Sequence, residues 1–444
     1  MADLPLIRNY SAGGALAYRA GRRIPVEAFL RDAAHLADVL PDRPHVVNLC
    51  ADRYRFTVGL AAALLRGQVS LFPSNSTPDL LERVRQGYPG VYCLSEGAGD
   101  TPQLETFAYP EMSSPVTGPM AVPLVPEAQA AAVLFTSGST GQPVPHAKTW
   151  GALVRSGLAE IERLDLTAHR NMALLGTVPQ QHMYGLESTV LAVMQGGLAM
   201  HAGRPFFPAD VCAELEALPR PRGLVTTPVH LRVLLGESGA LPAVDFLLCA
   251  TAPLSPQLAA EAEARFASPL FEIYGCTEAG QVATRRPARS QEWRLLPGLR
   301  LRAVEGGFAV SGGHVEGEVP LGDVIEPQGA DTFILHGRSV DLVNIAGKRT
   351  SLTHLNFHLN SIAGVKDGAF VMPEEDDGTV ARLMAFVVAP GLSSDVLMAA
   401  LRQRMDPAFL PRPLCFVDSL PRNETGKLPR LALDRLVSRL AKVG

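Results

Sequence analysis

The sequence lacks the features that would place it at once among membrane, secreted or nucleic-acid-binding proteins. Among its 444 residues no apolar run approaches the roughly 18 that a membrane-spanning helix needs, and no basic and apolar secretory signal is present at the start. The six cysteines include no Cys-x-x-Cys pair and no zinc-like spacing with histidine. The net charge is −4, so nucleic acid is not expected as a partner. We therefore expect a cytoplasmic protein with reduced thiols.

Lysine is also scarce. Of the 40 basic residues only five are lysine: Lys148, Lys348, Lys366, Lys427 and Lys442. A chain that otherwise uses arginine can keep lysine where a compact, flexible ammonium is required. The five positions are therefore candidates for functional roles, with chance placement as the alternative for any one of them.

The composition is that of a folded protein, because 47% of the residues are apolar and 19% are charged. Residues 27–40 and 78–87 carry helical periodicity, whereas short apolar runs such as 46–49, 69–72 and 131–135 are typical of buried strands. Helices that alternate with such strands predict an α/β architecture with mostly parallel sheets.

The chain is long for one core, which predicts two domains. After about residue 290 short strands with glycine turns replace the helices, which predicts a small β subdomain, and the C-terminal residues return to mixed strands and helices. We therefore predict an N-terminal domain over residues 1–338 and a C-terminal domain over residues 339–444.

Two segments in the middle of the chain have a pattern suited to phosphate chemistry. In the first, a buried strand is followed by Thr136-Ser137-Gly138-Ser139-Thr140-Gly141. Small residues let main-chain N–H groups converge on a phosphate, and hydroxyl groups add donors; an ordinary polar loop is the alternative. The second segment is Tyr274-Gly275-Cys276-Thr277-Glu278. A carboxylate facing a triphosphate would hold Mg²⁺, whereas an isolated Thr-Glu is more often solvated.

Two later segments complete the set. Asp323 follows Gly322 and precedes Arg338, and an aspartate can accept both hydroxyls of a ribose; a turn aspartate and a surface arginine are the alternative. Residues 421–430 form a turn around Lys427, whose ammonium can bridge a carboxylate and an α-phosphate. A solvated loop lysine is the alternative there.

Taken in order, these segments resemble the motifs of the adenylate-forming superfamily of acyl-CoA synthetases, peptide-synthetase adenylation domains and luciferases. The resemblance covers residues from about 130 to 430. It implies a large N-terminal adenylation domain of layered sheets and helices with a small β subdomain, and a small, mobile α+β C-terminal domain. It also implies ATP and Mg²⁺ as cofactors and an acid–thiol ligase that releases AMP and pyrophosphate.

The resemblance further implies roles for the matching residues on the nucleotide and thiol sides of the site. Residues 136–141 would hold the leaving pyrophosphate, Glu278 would hold its Mg²⁺, and Thr277 would contact the α-phosphate. Lys427 would stabilise the pentavalent transition state. The ribose and adenine side would be formed by Tyr274, Gly275, Asp323 and Arg338. The channel of the acceptor thiol would be lined by Gly347 and Lys348.

The acyl pocket is expected around His182, because residues 179–182 resemble the family's Pro-x-x-His segment. A hydroxylated aryl acid needs a polar partner in a mainly apolar pocket; the candidates are Tyr184, Thr227 and His230, with core packing as the alternative for each. Further expected lining residues are Ala250, Thr251, Cys276 and Gly280. Cys276 has no recognisable base partner, so it is not expected to act as a nucleophile.

Three positions depart from the family pattern. The phosphate loop continues into Val144 where the family has lysine, and Lys148 is the candidate replacement. Val340 stands at the hinge position, usually Asp or Lys, and His354-Leu355-Asn356 replaces the family's Glu-Ile-Glu. These changes concern the hinge and the domain contacts rather than the adenylation core.

A narrower resemblance concerns the substrates. The short N-terminal region and residues 145–150, Pro-His-Ala-Lys-Thr-Trp, resemble the stand-alone ligases of xanthomonadin and aryl-polyene pigment pathways. This implies that 4-hydroxybenzoate or a related aryl acid is loaded onto the phosphopantetheine of a holo acyl carrier protein. Residues 401–444 carry nine basic and four acidic residues, which suits an acidic carrier protein and coenzyme A equally. An acid–CoA ligase for aryl or fatty acids and a non-catalytic nucleotide-binding module are the alternatives.

Overall fold

The α/β architecture that the sequence predicts is confirmed. The computed structural model describes residues 2–97, 103–111, 120–136, 144–169, 171–338, 342–345, 348–373, 383–423 and 426–441. Within these residues a large N-terminal domain of two mixed sheets is followed by a small α+β C-terminal domain. The division at residue 338/339 stays a prediction.

The strands are short and, in the sheet interiors, apolar, as parallel strands covered on both faces must be. In the N-terminal domain they are β1 (Asp3–Pro5), β2 (Ala15–Arg19), β3 (Arg22–Pro25), β4 (His45–Asn48), β5 (Val69–Phe72), β6 (Tyr92–Ser95), β7 (Glu105–Ala108), β8 (Leu124–Pro126), β9 (Ala130–Thr136), β10 (Val144–Thr149), β11 (Ala173–Gly176), β12 (Ala199–His201), β13 (Arg222–Thr226), β14 (Phe246–Cys249), β15 (Leu270–Cys276), β16 (Gly280–Arg285), β17 (Trp293–Leu295), β18 (Leu299–Val304), β19 (Gly307–Gly312), β20 (Val315–Leu321), β21 (Asp323–Pro327) and β22 (Thr332–Arg338). The C-terminal domain contains β23 (Leu342–Ile345), β24 (Lys348–Ser351), β25 (Asp367–Val371), β26 (Met384–Val388) and β27 (Leu414–Phe416).

The helices are α1 (Val26–Val39), α2 (Arg53–Leu65), α3 (Pro78–Gly87), α4 (Trp150–Arg163), α5 (Met183–Gly185), α6 (Ala192–Gly196), α7 (Pro208–Ala217), α8 (Pro228–Leu235), α9 (Pro256–Phe266), α10 (Leu352–Asn360), α11 (Ser394–Arg402) and α12 (Arg430–Ala441). Residues Leu186–Leu191 form a π-helix between α5 and α6, an arrangement found frequently at functional sites. α8 and α9 each begin with a hydroxyl N-cap, Thr227 or Ser255, followed by proline, which satisfies an otherwise unpaired N–H and fixes the first turn.

Two sheets of the N-terminal domain position the site. The six-stranded sheet has the order β10-β9-β5-β4-β6-β7, and the eleven-stranded sheet has the order β21-β22-β17-β16-β15-β14-β13-β11-β12-β2-β3. In the latter β2 and β11–β15 run parallel, and β15 to β17, β21 and β22 run antiparallel. The three-stranded sheet β18-β19-β20 lies beside it and fits the predicted β subdomain. Loops at the carboxyl ends of the parallel strands therefore meet the β15–β16 hairpin. The crevice beyond the carboxyl ends of such strands is where α/β sheets bind ligands.

Each domain has its own apolar interior. The largest cluster joins α1, α2 and α4 to the strands beneath them, whereas a separate cluster joins α10 and α11 to β25 and β26. Each fully buried Leu or Phe contributes about 1.5–3 kcal/mol by leaving water. Across the described ranges no helix is both long and apolar enough to cross a membrane.

Candidate active site

The β15–β16 hairpin carries the predicted metal-binding residue. A side chain at Gly275 would collide with the main-chain oxygen of Gly280, and Gly280 itself has φ +78°, so both positions of this tight turn require glycine. The turn holds the side chain of Glu278 at 44% exposure, beside the predicted Thr277. A partly exposed carboxylate at the tip of a fixed turn is a suitable ligand for Mg²⁺ that also contacts phosphate.

The predicted ribose residues lie together on neighbouring strands. Asp323, at the start of β21, is opposite Arg338 of β22 in the strand register. Tyr274 on β15 donates a hydrogen bond from Oη to Oδ2 of Asp323 (2.6 Å) and packs its ring against Trp293 and Phe333. The carboxylate is therefore held in place by a side chain that the sequence assigned to the same nucleotide site.

The hairpin that carries the predicted phosphate loop approaches Glu278. Thr136 ends β9, and β10 returns antiparallel to it; the predicted residues Ser137, Gly138, Ser139, Thr140 and Gly141 lie outside the described residues. His146 Nε2 lies 3.1 Å from Oγ1 of Thr136 and 3.6 Å from Oε1 of Glu278. Burial lowers the pKa of His146. The imidazole thus connects the beginning of the phosphate loop to the predicted metal ligand, a connection that the sequence did not indicate.

Lys148 makes a different contact from the one expected of a phosphate-loop lysine. Its side chain is buried, and Nζ donates a hydrogen bond to the main-chain oxygen of Glu278 (2.5 Å). Burial lowers the pKa of the ammonium, and the nearby carboxylates of Glu187 and Glu316 oppose that shift. Lys148 therefore joins the two hairpins of the nucleotide side.

The polar candidates for the acyl pocket lie together but already have hydrogen-bond partners within the protein. Tyr184 donates from Oη to the main-chain oxygen of Thr226 (3.2 Å). Nδ1 of His230 lies 3.1 Å from Oγ1 of Thr177 and 3.2 Å from Oγ1 of Thr227. Burial lowers the pKa of His230 and keeps the imidazole neutral. The alternative of core packing accounts for these contacts, and none of them prevents a remaining polar atom from facing a substrate.

The other predicted pocket residues border the same region. Ala250 is buried at the end of β14, and Thr251 after it has φ +85°, a strained conformation for a β-branched residue and one that clusters at functional sites. Burial raises the pKa of Cys276 to about 11, so its thiol is protonated and not nucleophilic at neutral pH. A Cβ on Gly280 would lie 3.3 Å from Cε of Met183, which follows His182. The hairpin therefore touches the predicted acyl segment.

A buried polar cluster, which the sequence patterns did not indicate, lies beneath Gly280. A Cβ on Gly280 would lie 2.7 Å from Oε1 of Glu187, which accepts a hydrogen bond from Ser156 (2.5 Å). Glu160 accepts one from Nε2 of Gln281 (2.5 Å). Burial raises the pKa of Glu160 to about 8 and that of Glu187 to about 7. A signal existed: Glu187 is the only charged residue between His182 and His201.

The loop of the predicted catalytic lysine reaches the N-terminal domain. Lys427 closes a turn with Asn423, whose Oδ1 accepts from the Lys427 N–H (2.8 Å), and Gly426 lies against Val229 of α8. Asn423 also lines a cavity of about 770 Å³ together with His182, the ends of β4 and β6 and the loop after β5. Gly347 lies outside the described residues, and only the main chain of Lys348 is described.

One ion pair fastens this loop to the N-terminal domain. The carboxylate of Asp367 on β25 accepts from Nε and Nη2 of Arg422 (2.7 and 2.8 Å) and lies 3.4 Å from Nη1 of Arg232 on α8. Arg422 also donates to the main-chain oxygen of Gly426 (3.0 Å). A fork of this kind fixes geometry as well as charge, so the Lys427 turn is held over the N-terminal domain.

Comparisons with known proteins show which family and fold this chain shares. The AMP-binding enzyme family matches residues 56–318, and the C-terminal domain of AMP-binding enzymes matches residues 359–427. A 4-coumarate–CoA ligase of Rhodobacter capsulatus is 30% identical over 302 residues, covering 67% of this chain and 74% of its own. The anthranilate CoA ligase AuaEII in complex with anthranoyl-AMP has a TM-score of 0.80 at 16% identity, covering 99% of each chain. The o-succinylbenzoate CoA synthetase of Bacillus subtilis with ATP and magnesium ion has a TM-score of 0.78 at 18% identity, covering 95% of this chain and 96% of its own.

Proposed function

The chain belongs to the AMP-binding enzyme family, and on that premise we propose that it activates a small aryl carboxylic acid, a hydroxybenzoate in the first place, and transfers the acyl group to the phosphopantetheine thiol of an acyl carrier protein. The observations that carry the proposal are the hydrogen bond of Tyr274 to Asp323, the partly exposed Glu278 on its glycine-bounded turn, and the Lys427 turn that lies against α8. These residues supply a ribose site, a metal ligand and a mobile cation, which adenylation of a carboxylate requires.

The enzyme uses ATP with Mg²⁺, and the residues present fit both. A carboxylate is a weak nucleophile and ATP is an anion, so the two must be aligned and their charges offset. Asp323, oriented by Tyr274, would bind the ribose, and Thr136 with the residues after it would bind the phosphates. Glu278 would hold Mg²⁺, which would neutralise phosphate charge. Lys427 faces the α-phosphate as the substrate carboxylate attacks it, giving the acyl-adenylate and pyrophosphate.

The cavity near His182 supports a pantetheine acceptor. Its lining is mostly short polar side chains and main chain at the ends of β4 and β6 and in the loop after β5, including Ser74, Asn75, Ser76 and Ser95. Among the residues that line it, Arg204 is the one arginine, and lysine does not occur. Amide-rich pantetheine, which coenzyme A and a carrier protein share, needs hydrogen-bond partners of this kind, whereas the additional phosphates of coenzyme A would call for cations outside this cavity.

A carrier protein is further supported by two exposed aromatic residues near Arg204. Phe206 is 60% exposed and Phe207 is 66% exposed, and both border a second cavity with Asn423. Exposed aromatic residues beside a cleft are typical of protein contacts. The second candidate acceptor is coenzyme A. It is favoured by the similar proteins described above, because all three are named as CoA ligases or synthetases.

The first experiment is ATP–pyrophosphate exchange over a panel of benzoic, cinnamic, fatty and amino acids. We expect exchange with hydroxybenzoates well above the other classes. Thioester formation with coenzyme A and with a holo acyl carrier protein then compares the acceptors, and we expect the carrier protein to have the higher kcat/KM. Exchange with fatty or amino acids alone would refute the proposed substrate, and equal or better transfer to coenzyme A would refute the proposed acceptor.

A further inference from the structure

Lys148 is buried in a way that calls for an explanation. It is 8% exposed, and lysine is almost never buried without a partner because the ammonium loses its hydration. Its Nζ donates a hydrogen bond to the main-chain carbonyl of Glu278 at 2.5 Å. The charge of the ammonium is offset by the carboxylates of Glu187, Glu316 and Glu278 around it.

The two ends of this contact belong to the two hairpins of the nucleotide side. Lys148 lies on β10, opposite Ala132 of β9, so its backbone is part of the hairpin that leads out of the phosphate loop. Glu278 lies in the turn between β15 and β16. The hydrogen bond therefore fixes the position of one hairpin relative to the other over a separation of 130 residues.

The direction of the Glu278 peptide matters for its carboxylate. The main-chain oxygen faces inward to Lys148, while the side chain remains 44% exposed beside His146. His146 and Lys148 are two residues apart on β10 and so project from the same face of the strand. One side chain of this face holds the peptide of Glu278, and the other lies next to its carboxylate.

We infer that Lys148 is a positioning residue for the metal ligand: its buried ammonium holds the Glu278 peptide so that the carboxylate is directed to the magnesium of the bound nucleotide. This inference rests on the proposed function, since it assigns Mg²⁺ to Glu278. It also explains how the chain can do without lysine at the usual phosphate-loop position, where Val144 stands. The ammonium acts through the main chain of Glu278 rather than on a phosphate.

The test measures nucleotide binding by calorimetry, with no acid present. Wild-type protein, Lys148→Met and Lys148→Arg are titrated with ATP in Mg²⁺, with ATP in EDTA and with AMP. We expect the factor by which Mg²⁺ raises ATP affinity to be about tenfold smaller in Lys148→Met than in wild type, while AMP affinity stays within about twofold of wild type. Lys148→Arg should recover part of this factor because arginine can donate to the same carbonyl. The exposed Lys366 provides the matched control, Lys366→Met.

A double-mutant cycle separates positioning from direct contact. In a Glu278→Gln background the carboxylate is already absent, so Lys148→Met should add little to the loss of Mg²⁺-dependent affinity. Additive losses, a loss of ATP affinity that persists in EDTA, or a parallel loss of AMP affinity in both Lys148 variants would overturn the inference. Because these titrations need no turnover, a wild-type protein that binds Mg²⁺–ATP but activates no acid would refute the proposed function and leave this test intact.

Discussion

The nucleotide side and the acyl side of the candidate active site are held by different kinds of contact. On the nucleotide side, Tyr274 orients Asp323 across neighbouring strands, and Glu278 stands partly exposed on a glycine-bounded turn. On the acyl side, Glu160 and Glu187 are buried and bound to neighbouring side chains. Polar groups on the first side remain partly exposed, whereas those on the second are buried and mainly satisfy one another. Substitutions should therefore affect chemistry on the first side and stability on the second.

The largest effect is expected on the nucleotide side. Lys427→Ala removes the cation that we propose stabilises the transition state, and adenylation should slow by roughly 10²–10³-fold, the scale for losing one preorganised charge-stabilising donor. ATP–pyrophosphate exchange with the preferred acid measures the effect, and circular dichroism checks the fold. Lys366→Ala, at an exposed position of the same domain, is the control. An active Lys427→Ala enzyme would remove Lys427 from the catalytic assignment.

The contact that joins the Lys427 turn to the acyl side should have an intermediate effect. Asp367→Asn keeps the size of the side chain but removes the charge shared by Arg422 and Arg232. We expect adenylation to slow by about fivefold, a usual size for a coupling between elements. Transfer from a preformed acyl-adenylate should not slow, because the C-terminal domain, which the family resemblance predicts to be mobile, does not need this contact once the adenylate has formed.

Single-turnover rates of the two half-reactions check this expectation. Asp395→Asn, at an exposed position of α11, controls for loss of charge in the same domain. An equal reduction in both half-reactions would show that the ion pair stabilises the protein generally rather than one orientation of its C-terminal domain.

The sequence makes more specific predictions about the nucleotide side than about the acyl side, for a physical reason. Residues such as Asp323, Glu278 and Lys427 would meet a ligand common to a large family, so their spacing and order are recognisable in one chain. The alternating helices and short apolar strands similarly predicted the α/β fold, for example β4, β5 and β9. Such local patterns depend on residues close together in the chain.

Contacts between distant elements could not be predicted in this way. Lys148 was expected to replace a phosphate-loop lysine, but whether it faces a phosphate or the Glu278 peptide depends on how two hairpins of different sheets meet. The pairing of Glu160 with Gln281 joins α4 to β16. The lone charge of Glu187 in an apolar stretch was a visible signal, although its partners Ser156 and Gln281 were not.

The smallest effect is expected from the buried acids of the acyl side, and it appears in stability rather than in rate. The pKa of Glu160 in the folded protein is about 8, above its ordinary value of 4.5. The folded protein therefore keeps a proton that the unfolded chain releases as the pH rises through 4.5. The stability contributed by protonated Glu160 is present at pH 4.5 and below and is lost progressively towards pH 8.

Glu160→Gln tests this assignment, because an amide accepts the hydrogen bond from Gln281 and cannot ionise. The Tm of Glu160→Gln minus that of wild type should increase by about 2–5 °C from pH 5 to pH 8. Thermal unfolding of both proteins at both pH values measures this difference. The neighbouring Glu162 is exposed, so Glu162→Gln should parallel wild type at every pH. If the Glu160→Gln difference were instead constant with pH, Glu160 would be ionised in the folded protein, and the acyl side would contain a buried charge rather than a neutral acid.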